Sequence, residues 1–66
     1  MPLDAARAAA MARAYQWHRP CWIVVDTLTR ALVVFCGPHE EYLLAETARY
    51  YPLEIHHPDG SVVVAE

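Results

Sequence analysis

Two short runs of β-branched and aromatic residues, 21–27 and 31–36, stand either side of Leu28-Thr29 and read as a β-hairpin. If the loop is two residues long, Thr27 faces Arg30. Val25 then faces Leu32, Ile23 faces Val34, Trp22 faces Phe35, and Cys21 faces Cys36. Neither Leu28 nor Thr29 suits the primed turns that two-residue loops favour, so a longer loop could shift this register. In either register one face carries Trp22, Val24, Val33 and Phe35, and the other carries Ile23, Val25, Leu32 and Val34. A sheet with two apolar faces must be covered on both. No other feature of the chain constrains the fold as tightly.

The cover has to come from little chain. With 66 residues there is one small domain, residues 1–66, and a monomer of this size is marginal; a dimer, a bound metal or a tight partner would each tip the balance. Ahead of the hairpin, residues 5–16 are a run of strong helix formers with Ala at most positions. Pro2 suits a first turn and Asp4 complements the helix N-terminus, while Pro20 stops the helix. At 100° per residue, Leu3, Ala6, Ala10, Ala14 and Trp17 share one side. Behind the hairpin, Gly37-Pro38 followed by Glu40 and Glu41 predicts a second helix. Leu44, Ala48 and Tyr51 line its apolar side, and Pro52 ends it. Residues 53–57 and 61–65 then flank Pro58-Asp59-Gly60, which reads as a second hairpin turn. The order is α-β-β-α-β-β, an α+β domain in which an antiparallel sheet of two hairpins packs with two helices. Helices on opposite faces close it as a monomer. Helices on the same face leave Trp22 and Phe35 bare and demand a partner.

Composition removes several function classes. Net charge is −3, from five Arg and eight acidic residues with no Lys. That balance argues against nucleic-acid binding through phosphate neutralisation. No stretch approaches the 18 apolar residues of a membrane span, and the first 17 residues, with Asp4 and no Ser, read as structure and not as a leader. The expected location is the cytoplasm, where thiols are reduced or metal-bound more often than bridged.

Two constellations could carry chemistry. His18-x2-Cys21 and Cys36-x2-His39 mirror one another in sequence, and the hairpin register brings the cysteines together. Two thiolates and two imidazoles make a tetrahedral zinc shell. A cross-strand disulfide is the second reading. The third, and least demanding, has two buried Cys acting as small hydrophobes beside solvated His. Separately, Cys36 stands just before a helix N-terminus, where a thiol pKa falls, with His39 three residues on. The stretch Phe35-Cys36-Gly37-Pro38-His39 resembles the Cys-Gly-Pro-Cys active-site stretch of thioredoxin-like proteins over four residues. This chain has His39 where the resolving Cys belongs, so the resemblance implies at most a single nucleophilic thiol at Cys36. Ser61 lacks nucleophile-elbow glycines, there is no glycine-rich phosphate loop, and His56-His57 reads as an exposed pair.

The aromatic load is heavy: Tyr15, Trp17, Trp22, Tyr42, Tyr50 and Tyr51, together with Phe35. Tyr and Trp fill small cores and also anchor recognition surfaces. Adjacent helical residues cannot face one way, so at least one of Tyr50 and Tyr51 is expected at a surface. The sequence therefore predicts a non-enzymatic, cofactor-free module that binds protein, either a target or its own copy as a homodimer. Trp17, Trp22, Phe35, Tyr50 and Tyr51 are its candidate binding residues. Size and class match the inhibitor-type accessory proteins of phages and mobile elements, anti-CRISPR proteins among them. The alternatives are a zinc-stapled structural domain and a single-thiol redox or transfer enzyme.

Overall fold

The computed structural model describes residues 1–37, 42–45 and 48–65. It is an α+β fold: helix α1, Leu3–Trp17, packs on a four-stranded antiparallel sheet of β1, Cys21–Asp26; β2, Ala31–Cys36; β3, Tyr50–His56; and β4, Val62–Val64. The strand order is β2-β1-β3-β4.

α1 begins at Pro2, whose carbonyl accepts from the Ala6 N–H at 3.0 Å. It ends where His18 turns left-handed at φ 52° and donates its N–H to the Ala14 carbonyl. Ala6, Ala10 and Ala14 are completely buried and rest on Cys21, Ile23, Val34 and Cys36. The small side chains expected on one side of the helix thus make its contact with the sheet, while Leu3 and Trp17 sit exposed at either end.

The hairpin keeps the expected register, Cys21 opposite Cys36 through Val25 opposite Leu32. Its loop spans four residues, 27–30, and closes on the pair Asp26 and Ala31, which preserves the alignment that a two-residue loop would give. Asp26 organises the loop. Its carboxylate accepts from the Leu28 N–H at 3.0 Å and its carbonyl accepts from the Arg30 N–H at 2.6 Å, with Arg30 left-handed at φ 60°.

The second helix is corrected in part. Residues 38–41, 46 and 47 lie outside the described residues, and a single 3₁₀ turn spans Tyr42–Ala45. Ala48 and Arg49 form a turn, and Tyr50 and Tyr51 already belong to β3. The Thr27 hydroxyl donates to the carbonyls of Ala48 and Arg49 at 3.0 and 2.7 Å, and its N–H also donates to Arg49. Carbonyls that a helix would have used internally are thereby taken by the hairpin loop. Leu44, from the 3₁₀ turn, packs on Val24, Phe35 and Tyr50. The two sheet faces are therefore packed from opposite sides, by α1 on one and by Leu44 of the 3₁₀ turn on the other.

β3 enters beside β1 with Pro52 in its interior, a position that normally costs a ladder hydrogen bond. The pairing register shifts between Ile23 and Val24, leaving Leu53 as an extra residue. Backbone groups alternate along β1, and the 4.4 Å Cα separation of Cys21 and Cys36 marks a non-hydrogen-bonded pair with β2. By that phase Val24 bonds to β2, so Pro52 opposite it has no bond to β1 to lose. On the other side the β4 pairing covers residues 54–56, with the Ala65 N–H donating to the Leu53 carbonyl, and no described residue there calls on an N–H from Pro52. The β3–β4 turn forms as expected at Pro58-Asp59-Gly60: Gly60 takes φ 91° and the Asp59 carboxylate accepts from the Ser61 N–H and hydroxyl at 2.8 and 2.7 Å.

Candidate functional site

Cys21 and Cys36 form a disulfide, both sulfurs lying in the core beneath α1. A Cα distance of 4.4 Å falls within the range that a disulfide spans. This overturns the zinc reading. Neither cysteine has a thiolate to give, His18 is exposed and serves as the helix terminator, and His39 lies outside the described residues. Among the described residues no group of three or more His, Cys, Asp or Glu could hold a metal. It also withdraws the single nucleophilic thiol at Cys36, since that sulfur is bonded across the hairpin. The expectation of reduced cysteines fails because it came from presumed location, whereas the register alone sets the two side chains face to face.

The five aromatic candidates do not form one patch. Phe35 and Tyr50 are buried, packed edge to face with ring centroids 5.0 Å apart, and Trp22 is half-buried against the same cluster. Trp17 and Tyr51 are exposed at 49% and 52%, but Trp17 closes α1 near the start of β1 while Tyr51 pairs with Val25 near its end. Tyr50 and Tyr51 lie on β3 and not on the expected helix, and strand alternation turns Tyr50 inward and Tyr51 to the surface.

The surface that does gather apolar side chains lies at the β4 end of the sheet. α1 packs on β1, β2 and β3 and does not reach β4. Val62, Val63 and Val64 are consequently 47%, 49% and 67% exposed. Their pairing with His56, Ile55 and Glu54 puts Val62 and Val64 on the α1 side of the sheet and Val63 on the other. β4 is also the last strand of the sheet, and among the described residues no strand pairs with its outer backbone edge. Beside it, Met11, Ala12 and Tyr15 of α1 and the turn at 57–60 line an open groove of about 500 Å³. Sequence reasoning placed a strand at 61–65 but gave it no role. Three consecutive valines without polar alternation were the available signal, and the strand order that makes them an edge was not.

Between α1 and this edge lies a charged cluster. Arg7 donates to both carboxylate oxygens of buried Glu54, Nη2 to Oε2 at 2.5 Å and Nε to Oε1 at 3.1 Å. His56, also buried, meets Glu54 Oε1 through Nε2 at 3.0 Å. The Arg7 hydrogen bonds hold the Glu54 carboxyl below its ordinary range against the opposing effect of burial, with His56 assisting. At the far end of the sheet, burial pushes Asp26 up. Its bonds from Arg49 Nη2 at 3.3 Å and from the Leu28 N–H together outweigh that and leave it lowered. These acids are engaged in holding elements together: Glu54 ties α1 to β3, and Asp26 ties the hairpin loop to Arg49. The His56-His57 pair is thus split, with His56 buried in a cluster and only His57 beside the groove.

Comparisons with protein-family models, with curated proteins and with solved structures find no match. Among the described residues no helix is long and apolar enough to cross a membrane.

Proposed function

We propose that the chain is a non-catalytic protein-binding module that acts through β4, accepting a strand from a partner along its open edge. The observation that carries this reading is the edge itself: three valines about half or more exposed on a strand that, among the described residues, has no outer neighbour. Monomeric proteins blunt such edges with charge, Pro, a bulge or a covering element. Residues 61–65, Ser-Val-Val-Val-Ala, contain none of these, and α1 stops short of them. Strand addition takes affinity from main-chain hydrogen bonds and specificity from alternate side chains, and β4 offers both. On size and class alone, the reading extends to an inhibitor-type accessory protein of a phage or mobile element.

The test is site-specific photocrosslinking in cells that make the protein, with the crosslinker at position 63 and, as control, at position 28. Leu28 is the more exposed of the two and lies on the hairpin loop, away from β4. The expected result is an adduct from position 63 that maps to one segment of one protein and is absent from position 28. Equal labelling at both positions, or none at 63, overturns the reading.

A further inference from the structure

We infer that the strand received at this edge is β4 of a second copy of the same chain, paired antiparallel about a two-fold axis through Val63. The inference rests on the edge-binding reading and names its partner.

The hydrogen-bond phase of β4 comes first. The Ser61 carbonyl accepts from the His57 N–H at 2.9 Å, and the Ala65 N–H donates to the Leu53 carbonyl at 2.9 Å. Those odd-numbered residues spend their backbone groups inward on β3, so by alternation Val62 and Val64 point their N–H and C=O groups out of the sheet. A two-fold axis at Val63 sets Val62 of each copy opposite Val64 of the other. Every outward group of the strand then lies in a closed hydrogen-bonded pair. Moving the axis to Val62 or Val64 leaves half of them unpaired. Slipping by a single residue sets an outward residue against an inward one and closes no pair.

Side chains and charge agree with that register. Read in reverse, Ser61-Val62-Val63-Val64-Ala65 is again a small residue, three valines and a small residue, so a second copy presents what this copy presents. The strand carries no charge with which to attract an acidic or basic strand from another protein, and none to repel its own copy. Because an axis perpendicular to the sheet keeps the faces in common, both α1 helices stand on the same side and neither lies over the join. The opposite edge, β2, is a poorer candidate. Val34, Phe35 and Cys36 are already buried there, so pairing would cover backbone but little apolar surface. Three half-exposed valines and their backbone amount to on the order of 300 Å² per copy, well below the ~800 Å² of a standard interface. The dimer is therefore a weak one, forming between micromolar and millimolar concentration.

The experiment is sedimentation equilibrium together with residue-resolved amide exchange at about 20 µM and about 1 mM. Mass should rise toward twice the monomer. The Val62 and Val64 amides should exchange about tenfold more slowly at the higher concentration. In Val63→Lys, two ammonium-bearing side chains meet at the axis at a Cα spacing of about 4.5 Å, and the chain should stay monomeric at both concentrations. Monomer mass with unchanged Val62 and Val64 exchange overturns the inference. So does protection gained at Leu32 and Val34 of β2, or a Val63→Lys chain that still dimerises. A monomer that nonetheless crosslinks a different protein from position 63 refutes self-pairing and leaves edge binding standing. A monomer with no adduct there refutes both.

Discussion

Reducing the bond between Cys21 and Cys36 leaves the folded hairpin its register and frees the unfolded chain from a closure spanning 15 residues. On the chain-entropy account a loop of that length is worth about 3 kcal/mol at 25 °C. Domains of 66 residues have total stabilities on the order of 3–10 kcal/mol, so reduction removes a third of it or more. Unfolding entropy near 2.1 cal/mol/K per residue gives about 140 cal/mol/K for the whole chain, which converts the loss to a fall in Tm of about 20 °C. The assay is thermal unfolding followed by tryptophan fluorescence with and without a phosphine reductant, the oxidised state being checked by mass. One low protein concentration should be used throughout, because self-association would raise Tm with concentration. A Cys21→Ala/Cys36→Ala chain is the control, and its Tm must not respond to reductant. A shift smaller than about 5 °C would refute the reasoning, since the unfolded chain would then gain little freedom from losing the bond. Purified chain carrying both thiols after exposure to air would remove the premise itself.

Three further outcomes follow from the packing and the charges. Ala10→Leu, at a fully buried contact between α1 and the sheet, should lose about 1–3 kcal/mol of stability by denaturant titration, while Ala8→Leu on the exposed side stays within about 0.5 kcal/mol. Glu54 and Asp26 both have folded pKa values below their unfolded ones, so their contribution is complete above about pH 5 and disappears as pH falls through the folded values. Tm should drop in acid, and Glu54→Gln should both lower it at neutral pH and shrink that drop; an acid slope identical to the parent chain's would count against the Arg7–Glu54 pairing. Gly60→Val has open space for its side chain but must adopt φ near 91°, and should cost about 1 kcal/mol through backbone strain alone.

What could be read from residue order was local. The Cys21–Cys36 hairpin is readable because both its faces are apolar and because loops of two and four residues close on the same alignment. The Ala6, Ala10 and Ala14 stripe and the Pro58-Asp59-Gly60 turn are readable because each depends on neighbours a few positions away. The end of the second helix was misread for the converse reason. Leu44, Ala48 and Tyr51 fall at helical spacing, yet the Thr27 hydroxyl, distant in sequence, claims the carbonyls at 48 and 49 and β1 claims Tyr50 and Tyr51. The candidate surface was hidden likewise. Two hairpins in sequence suggest two pairs of strands, and only the docking of β3 against β1 makes β4 an outer edge. The aromatic candidates drew attention because of residue type, while Phe35 and Tyr50 were needed inside.

The alanine stripe under α1 also has a consequence for where the helix can sit. Identical methyl groups recur every four residues, so a helix displaced along its axis by about 6 Å would lay alanine on nearly the same ground. Packing alone barely distinguishes the native placement from its neighbours on the ladder. Arg7 distinguishes it. A slide of four residues in either direction brings Leu3 or Met11 to Glu54 and strands a carboxylate that is 6% exposed. The pair thus acts less as a bond of strength than as a detent, and buried Glu54 tells a featureless helix where to stop.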